Sequence, residues 1–306
     1  MPDRPVPEEA APYRFHQNDP FDLSGPIALV VPQLISSKEY MRSIRDLRTP
    51  SGSLAVWYLG QNGFLVKDEG GLLIGIDLYL TNSCADTPNS YSYRVDRQLP
   101  IFIEPEDLDI DVFISTHSHR DHADPKTISR MSRDAKTLFL GPFDAAGIFT
   151  QYGVQPSNCR VLHPGEAIEL GSTKLQATFA FPTDATDLNH TGILLTFGSG
   201  ITFYNSGDTA WSDRLSLLLP RDVDICTICI NGGYHNLSPE QAALIIRDVN
   251  PYVAIPCHYD MMVNNVGSPS MFRAALAREG MEDRFRMLSY YEPWFYTKTS
   301  AVMNAG

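Results

Sequence analysis

Three histidines and an aspartate fall within six residues, His117-Ser118-His119-Arg120-Asp121-His122, directly after the apolar run Asp111-Val112-Phe113-Ile114-Ser115-Thr116. Imidazole nitrogens suit zinc, iron and manganese-like ions, and the carboxylate adds a hard anionic oxygen. On extended backbone the His117 and His119 rings share a face, while Asp121 and His122 follow where the chain turns and can serve an adjacent centre. The chemistry this spacing points to is metal-dependent hydrolysis, in which a cation with an open position activates water. Without a metal, so many polar groups at one strand end would be desolvated for want of any partner.

A centre with two cations needs more donors, and they stand at further strand ends. His190 lies in Leu188-Asn189-His190-Thr191-Gly192, Asp208 in Asn205-Ser206-Gly207-Asp208-Thr209, and His258 closes Ala254-Ile255-Pro256-Cys257-His258. Taken singly, the two histidines read equally well as surface or core residues, and Asp208 as a turn residue beside glycine. Their order makes them a set.

The elements that must position these residues follow from periodicity and turn chemistry. A helix is predicted over 37–47, then an antiparallel meander of Leu54 to Leu59, Phe64 to Lys67 and Leu72 to Leu78 with glycine turns. A long loop, Thr81 to Pro105, carries Tyr91, Tyr93, Arg94 and Arg97. Asp124-Pro125 opens a helix to about 133, so the histidine cluster lies between strand and helix. A short strand (137–140) and a helix (143–152) ended by Gly153 lead into a second β block over 160–162, 167–170 and 174–181. A hairpin (192–197 and 201–204), a short helix (212–219) and the apolar strand 223–230 come next. Ser238-Pro239-Glu240-Gln241 is a capping box opening a helix to Val249, a strand runs from Val253 to Cys257, and Ser268-Pro269 opens another helix to about Gly280. Two β blocks, each followed by helices, predict an α/β (α+β) fold with two sheets face to face and helices outside. Residues 1–35 are rich in proline and acid and read as an irregular arm before a single domain over 36–306.

Composition narrows the partners. With 306 residues and 43 % hydrophobic content the chain can bury a large core, and its formal charge of −12 argues against a nucleic-acid surface. No run of 18 or more apolar residues and no leader-like apolar stretch occurs, so neither a membrane nor secretion is expected. Five cysteines, an odd number, fit reduced thiols in the cytoplasm. Cys226-Thr227-Ile228-Cys229 has CxxC spacing, but inside a buried strand its sulfurs face opposite sides, against a redox or zinc role.

The order of Asp77 ending an early strand, HxHxDH, His190 before Thr-Gly, Asp208 in Ser-Gly-Asp-Thr and His258 closing a late strand resembles the metallo-β-lactamase-fold hydrolase superfamily over residues 54–260. That resemblance implies a four-layer αββα sandwich of two facing mixed sheets. It implies that His117, His119 and His190 hold one divalent ion, that Asp121, His122 and His258 hold a second, and that Asp208 bridges them. By the same resemblance Asp77 orients the histidine loop rather than binding a metal. Trp57-Tyr58-Leu59-Gly60-Gln61-Asn62-Gly63-Phe64, Gly141-Pro142, Gly153-Val154, Pro164-Gly165-Glu166, Ile230-Asn231-Gly232-Gly233 and Ile255 to Met261 further resemble the L-ascorbate-6-phosphate lactonase family. Two departures touch the substrate: the insert after Gly233 is shortened to Tyr234-His235-Asn236, and Asn205 stands where similar proteins can have histidine.

The expected reaction is hydrolysis of a sugar-acid or sugar-phosphate lactone by metal-activated hydroxide, with Asp121 or Asp208 relaying protons. Manganese is what the lactonase resemblance favours and zinc what the wider superfamily favours. His235 is a candidate general acid, and Asn231, Tyr234, His235, Tyr259 and Arg94 are candidate substrate contacts, with Arg97 and Arg120 further choices for a substrate phosphate. A phosphodiesterase or nuclease of the same fold, and a non-catalytic metal-binding protein, are the alternatives. A diiron redox protein is disfavoured by His119, where such proteins have glutamate. The arm and the aromatic tail, Tyr290 to Tyr296, could cover a homo-oligomer interface, or the tail could form a final strand.

Overall fold

The computed structural model describes residues 13–14, 28–29, 35–86, 94–132, 136–265 and 267–298. Within the arm, β1 (Tyr13–Arg14) pairs antiparallel with β2 (Ala28–Leu29). The rest of residues 1–34, His16 included, and Tyr91 and Tyr93 of the long loop lie outside the described residues.

Ser36 caps α1 (Ser37–Asp46) in a reciprocal capping box with Glu39. Lys67 reaches back from the meander and donates to the carbonyls of Ile44 and Leu47, groups a helix C-terminus leaves unpaired. The meander itself is β3 (Ser53–Gly60), β4 (Gly63–Lys67) and β5 (Leu73–Ile76), each antiparallel to the last. Parallel additions follow: β6 (Val112–Ile114), then α2 (Pro125–Arg130), β7 (Leu138–Gly141), α3 (Phe143–Gln151) and β8 (Cys159–Val161). Asp124 caps α2 as its Asp-Pro sequence predicts, accepting from the amides of Lys126 and Thr127.

The second sheet starts with the antiparallel strands β9 (Ala167–Leu170), β10 (Thr173–Phe179), β11 (Thr191–Thr196) and β12 (Thr202–Asn205). β13 (Ile225–Cys229) and β14 (Val253–Cys257) extend it in parallel, linked by α4 (Pro239–Val249), against which α5 (Pro269–Arg278) packs. The helix expected over 212–219 is a single 3-10 turn, Leu215–Leu217. Leu215 alone of its leucines is fully buried, Leu217 and Leu218 are exposed, and Pro220 follows, so no apolar stripe holds a longer helix. The tail forms β15 (Trp294–Thr297), which pairs with β3 and completes the order β15-β3-β4-β5-β6-β7-β8.

The two mixed sheets face one another with helices outside, an αββα sandwich. Phe64 and Phe203 meet edge-on across the interface, ring centroids 6.1 Å apart. Beside them the carboxamides of Asn62 and Asn205 exchange two hydrogen bonds at 3.0 and 3.1 Å. Burial of aromatic and aliphatic side chains such as Trp57, Phe64, Phe113 and Phe203 contributes about 1.5–3 kcal/mol each. β3 runs parallel to β5 and β6, and β12 parallel to β13 and β14, so the carboxyl ends of these strands share edges with the start of β11. That edge is where the candidate ligands stand. Among the described residues no helix is long and apolar enough to cross a membrane.

Candidate metal centre

Each member of the site is delivered by a strand terminus. Asp77 follows β5, the segment from His117 to His122 follows β6, His190 precedes β11, Asp208 follows β12, and His258 follows β14. His117, His122, His190, Asp208 and His258 are buried, while His119 and Asp121 are half-buried at the mouth. Gly207 allows Asp208 its place: at φ +58 it passes so close to the histidine loop that a Cβ would lie 2.6 Å from the Thr191 carbonyl oxygen and 2.9 Å from Thr116 Cβ.

The side chains converge in three overlapping groups: His117, His119 and His190; His117, His122 and Asp208; and Asp121, His122 and His258. Within each, the candidate ligand atoms lie within 4.8 Å of one another. The imidazole rings of His117 and His190 stack at 4.1 Å, and His122 lies 4.0 Å from His117.

Other bonds fix these rings. Asp77, itself fully buried, accepts from Thr116 N at 2.7 Å and Thr116 Oγ1 at 2.6 Å, and its Oδ2 stands 2.7 Å from His122 Nδ1. His190 Nδ1 is 3.0 Å from the Asp208 carbonyl oxygen, and Asn236 donates to Asp208 Oδ2 at 2.5 Å. Each bond leaves the opposite edge of its side chain facing inward. The inward atoms His117 Nε2, His122 Nε2, His190 Nε2 and Asp208 Oδ1 are buried and have no hydrogen-bond partner among the described residues. Four converging orphans of this kind are what a cation-binding site requires, since buried polar groups otherwise find partners. The donor set therefore fits divalent metal.

Electrostatics divides the site. Burial, with His122 and His190 nearby, holds the His117 imidazole well below its usual pKa, and burial lowers His190 too, so both present neutral lone pairs. Burial would also lower His122 and His258, but Asp208 and Asp121 more than offset it; His122 is held well above the usual range and His258 is pushed up to about 9. Burial would raise Asp121 and Asp208, yet these two imidazoles hold both carboxylates well below theirs. The protons on His122 and His258 thus supply the countercharge that a cation would supply in their place.

Two adjacent turn residues, Gln61 and Asn62, complete the cluster, and neither is a metal-ligand type that spacing would single out. Gln61 Nε2 donates to Asp121 Oδ2 at 2.7 Å, and Asn62 Nδ2 to Asp77 Oδ2 at 2.6 Å. Asn236, read from sequence only as part of a loop, is a third such amide. Gln61, Asp77, Tyr234, His235 and His258 all have left-handed φ between +47° and +64°, a concentration of unfavourable backbone typical of functional sites.

The candidate substrate contacts are scattered. His235 is exposed beside Asn236, with no bond to the cluster among the described residues. Tyr234, half-exposed, accepts from Asn264 Nδ2. Asn231 is fully buried, and its carboxamide atoms have no partner among the described residues. The Tyr259 ring is also fully buried, packed against Tyr58 and Tyr290 in the aromatic core, which leaves it no surface for a substrate. Arg94 pairs with Asp96 at 3.1 Å and Asp86 at 3.7 Å, and Arg97 is folded onto the carbonyls of Leu99 and Pro100. All five cysteines are free thiols.

Residues 55–258 match the family described as beta-lactamase superfamily domain. The chain is 27% identical over 260 residues to a UPF0173 metal-dependent hydrolase of Cupriavidus taiwanensis, covering 77% of this chain and 84% of that protein. It is 23% identical over 269 residues to the probable L-ascorbate-6-phosphate lactonase UlaG of Escherichia coli, covering 75% of this chain and 76% of that protein. Igni18, a metallo hydrolase of Ignicoccus hospitalis, superposes with a TM-score of 0.63 at 21% identity, over 81% of this chain and 100% of the other, and so shares the fold.

Proposed function

The chain belongs to the beta-lactamase superfamily domain family, and on that premise we propose that it is a metal-dependent hydrolase that uses two divalent cations, zinc or manganese, to open a sugar-acid or sugar-phosphate lactone. The observation that carries the metal is the convergence of four buried ligand atoms with no hydrogen-bond partner among the described residues. The lactone rests on the segments around Trp57 to Phe64, Ile230 to Gly233 and Ile255 to Met261, and on the Escherichia coli relative named for that activity.

In this reading His117, His119 and His190 would hold one cation, Asp121, His122 and His258 the other, and Asp208 would serve both. Bound there, divalent cations supply Lewis acidity, lowering the pKa of water and polarising the scissile carbonyl oxygen. The protein's own part is orientation. Asn236 and Gln61 each hold one carboxylate oxygen, of Asp208 and Asp121, so that neither carboxylate can rotate away. Asp121, at the mouth, would pass a proton outward, and exposed His235 is the candidate donor to the departing ring oxygen, which leaves as the new hydroxyl. The substrate is a small molecule, and five free thiols support a reducing, cytoplasmic setting.

The test is metal analysis of the purified full chain joined to a hydrolysis screen of lactones, sugar-phosphate lactones and phosphodiesters. Ring opening that a chelator abolishes and manganese or zinc restores is the expected result. Activity confined to phosphodiesters would remove the lactone assignment, and turnover of His119→Ala with metal retained would remove the metal site.

A further inference from the structure

The turn between β3 and β4 enters the site from the first sheet and grips the end of β14 in the second. Gln61 sits at its apex at φ +53°, 1 % exposed, with its carbonyl and both side-chain polar atoms engaged. Its carbonyl accepts from His258 N at 2.5 Å and from the Tyr58 hydroxyl at 2.9 Å. Its side-chain Oε1 accepts from Asn265 Nδ2 at 3.0 Å, which fixes the amide's orientation and turns Nε2 inward. There Nε2 lies 2.7 Å from Asp121 Oδ2 and 3.2 Å from His258 Nε2. One side chain therefore touches a member of the cluster from each sheet.

We propose that Gln61 is a positioning residue for the cation position formed by Asp121, His122 and His258, setting the affinity of that position independently of the one formed by His117, His119 and His190. The inference rests on the two-cation reading given above. A carboxylate oxygen has two lone pairs and an imidazole nitrogen one. Asp121 Oδ2 can accept from Gln61 and still serve a cation, whereas His258 Nε2 cannot do both. The bond that persists on loading is the one to Asp121, and it holds a partly buried carboxylate on a six-residue loop facing His122 and His258. The first group receives no bond from Gln61, so the two positions respond differently to its loss.

Cobalt(II) titrated into the chelator-stripped full chain, followed by visible absorbance and by calorimetry, reads the two positions as separate steps. Gln61→Met keeps the side-chain volume and removes the amide. It should weaken one step by about 10-fold to 100-fold while leaving the other step unchanged. Asn265→Ala, which frees only Oε1 at a half-buried position, should weaken the same step less and guards against a folding failure of the first variant. Equal weakening of both steps would reduce Gln61 to scaffolding, and two unchanged or tightened steps would overturn the proposal. A wild-type chain that takes up a single ion removes the two-cation reading; unchanged affinity for that ion in Gln61→Met then removes the positioning role as well.

Discussion

Asp77 Oδ2 lies 2.7 Å from His122 Nδ1, with the same carboxylate bonded to Thr116 and Asn62, so one buried anion fixes a candidate ligand and the loop that carries it. Asp77→Asn keeps a residue type that tolerates the left-handed backbone at φ +47°. It also turns an acceptor oxygen into a donor facing other donors. The expected outcome is cation affinity about 10-fold to 100-fold lower and stability lower by about 1–3 kcal/mol. Metal analysis after dialysis against a graded chelator, with urea unfolding alongside, measures both. Undiminished affinity would mean that Asp77 supports the loop without tuning the site.

Cation binding should stabilise the fold through the atoms that protein groups leave unpaired. His117 Nε2, His122 Nε2, His190 Nε2 and Asp208 Oδ1 are buried with no hydrogen-bond partner among the described residues. A cation held at about 100 times its Kd raises stability by about 2.7 kcal/mol. Thermal unfolding in chelator, and again in excess zinc or manganese, should show this as an upward shift of the midpoint. In His117→Ala the shift should shrink, because His117 belongs to two of the three ligand groups. An equal shift in wild type and variant would place the stabilising cation elsewhere.

The parts of this site that could be read in the sequence are those whose chemistry is local. HxHxDH announces itself because six consecutive residues carry four ligand types, and His190, Asp208 and His258 stand out because each interrupts an apolar strand end. Gln61, Asn62 and Asn236 were not legible as site residues. Amides carry no ligand signal, and their partners Asp121, Asp77 and Asp208 are 60, 15 and 28 residues away in the chain. Strand order within each sheet makes them neighbours: Gln61, Asn62, Asp77 and Asp121 stand at strand ends of the first sheet, and Asn236 and Asp208 at strand ends of the second. The layers, the capped helices and the meander follow from periodicity and turn chemistry, whereas the helix read over 212–219 fails because leucine content alone does not show whether a burying surface exists. Tyr259 illustrates the same gap: it is a candidate substrate contact by sequence, but its ring is fully buried in the core.

Acid sensitivity should arise in part far from the candidate metal centre. Arg45 of α1 donates two bonds of 2.7 Å to the Asp111 carboxylate just before β6. Burial would raise the Asp111 pKa, but Arg45 and the Leu73 amide more than offset it and hold the group below its usual value. A carboxylate with a depressed folded pKa contributes stability that is complete above its unfolded value of about 3.9 and is lost as pH falls through the folded one. With about a third of each side chain exposed, screening limits the contribution to about 1 kcal/mol. Asp111→Asn should therefore lower the thermal midpoint by a constant amount near neutrality and converge with wild type as the pH falls through the depressed folded pKa of Asp111. Curves that stay parallel into strong acid would assign the loss to packing instead.

Gly207 should be the least replaceable glycine at the site. Its φ of +58° is costly for any other L residue, and the space is closed as well, with the Thr191 carbonyl oxygen 2.6 Å and Thr116 Cβ 2.9 Å from where a Cβ would stand. Thr191 follows His190 and Thr116 precedes His117, so a methyl group there pushes apart the two segments that carry these histidines while displacing Asp208, the next residue. Neither neighbour is the free end of a flexible side chain, and relief requires backbone movement. Gly207→Ala should cost about 2–4 kcal/mol, combining left-handed strain with overpacking. The comparison that isolates the geometry is Gly200→Ala: Gly200 also has a left-handed φ, +78°, but nothing lies within 4 Å of its Cβ position. That variant should lose only about 1 kcal/mol and keep full metal content, whereas Gly207→Ala should lose metal even under conditions where circular dichroism shows it folded. Equal losses in the two variants would show that conformational strain alone, and not the close passage beside the histidine loop, makes glycine necessary at 207.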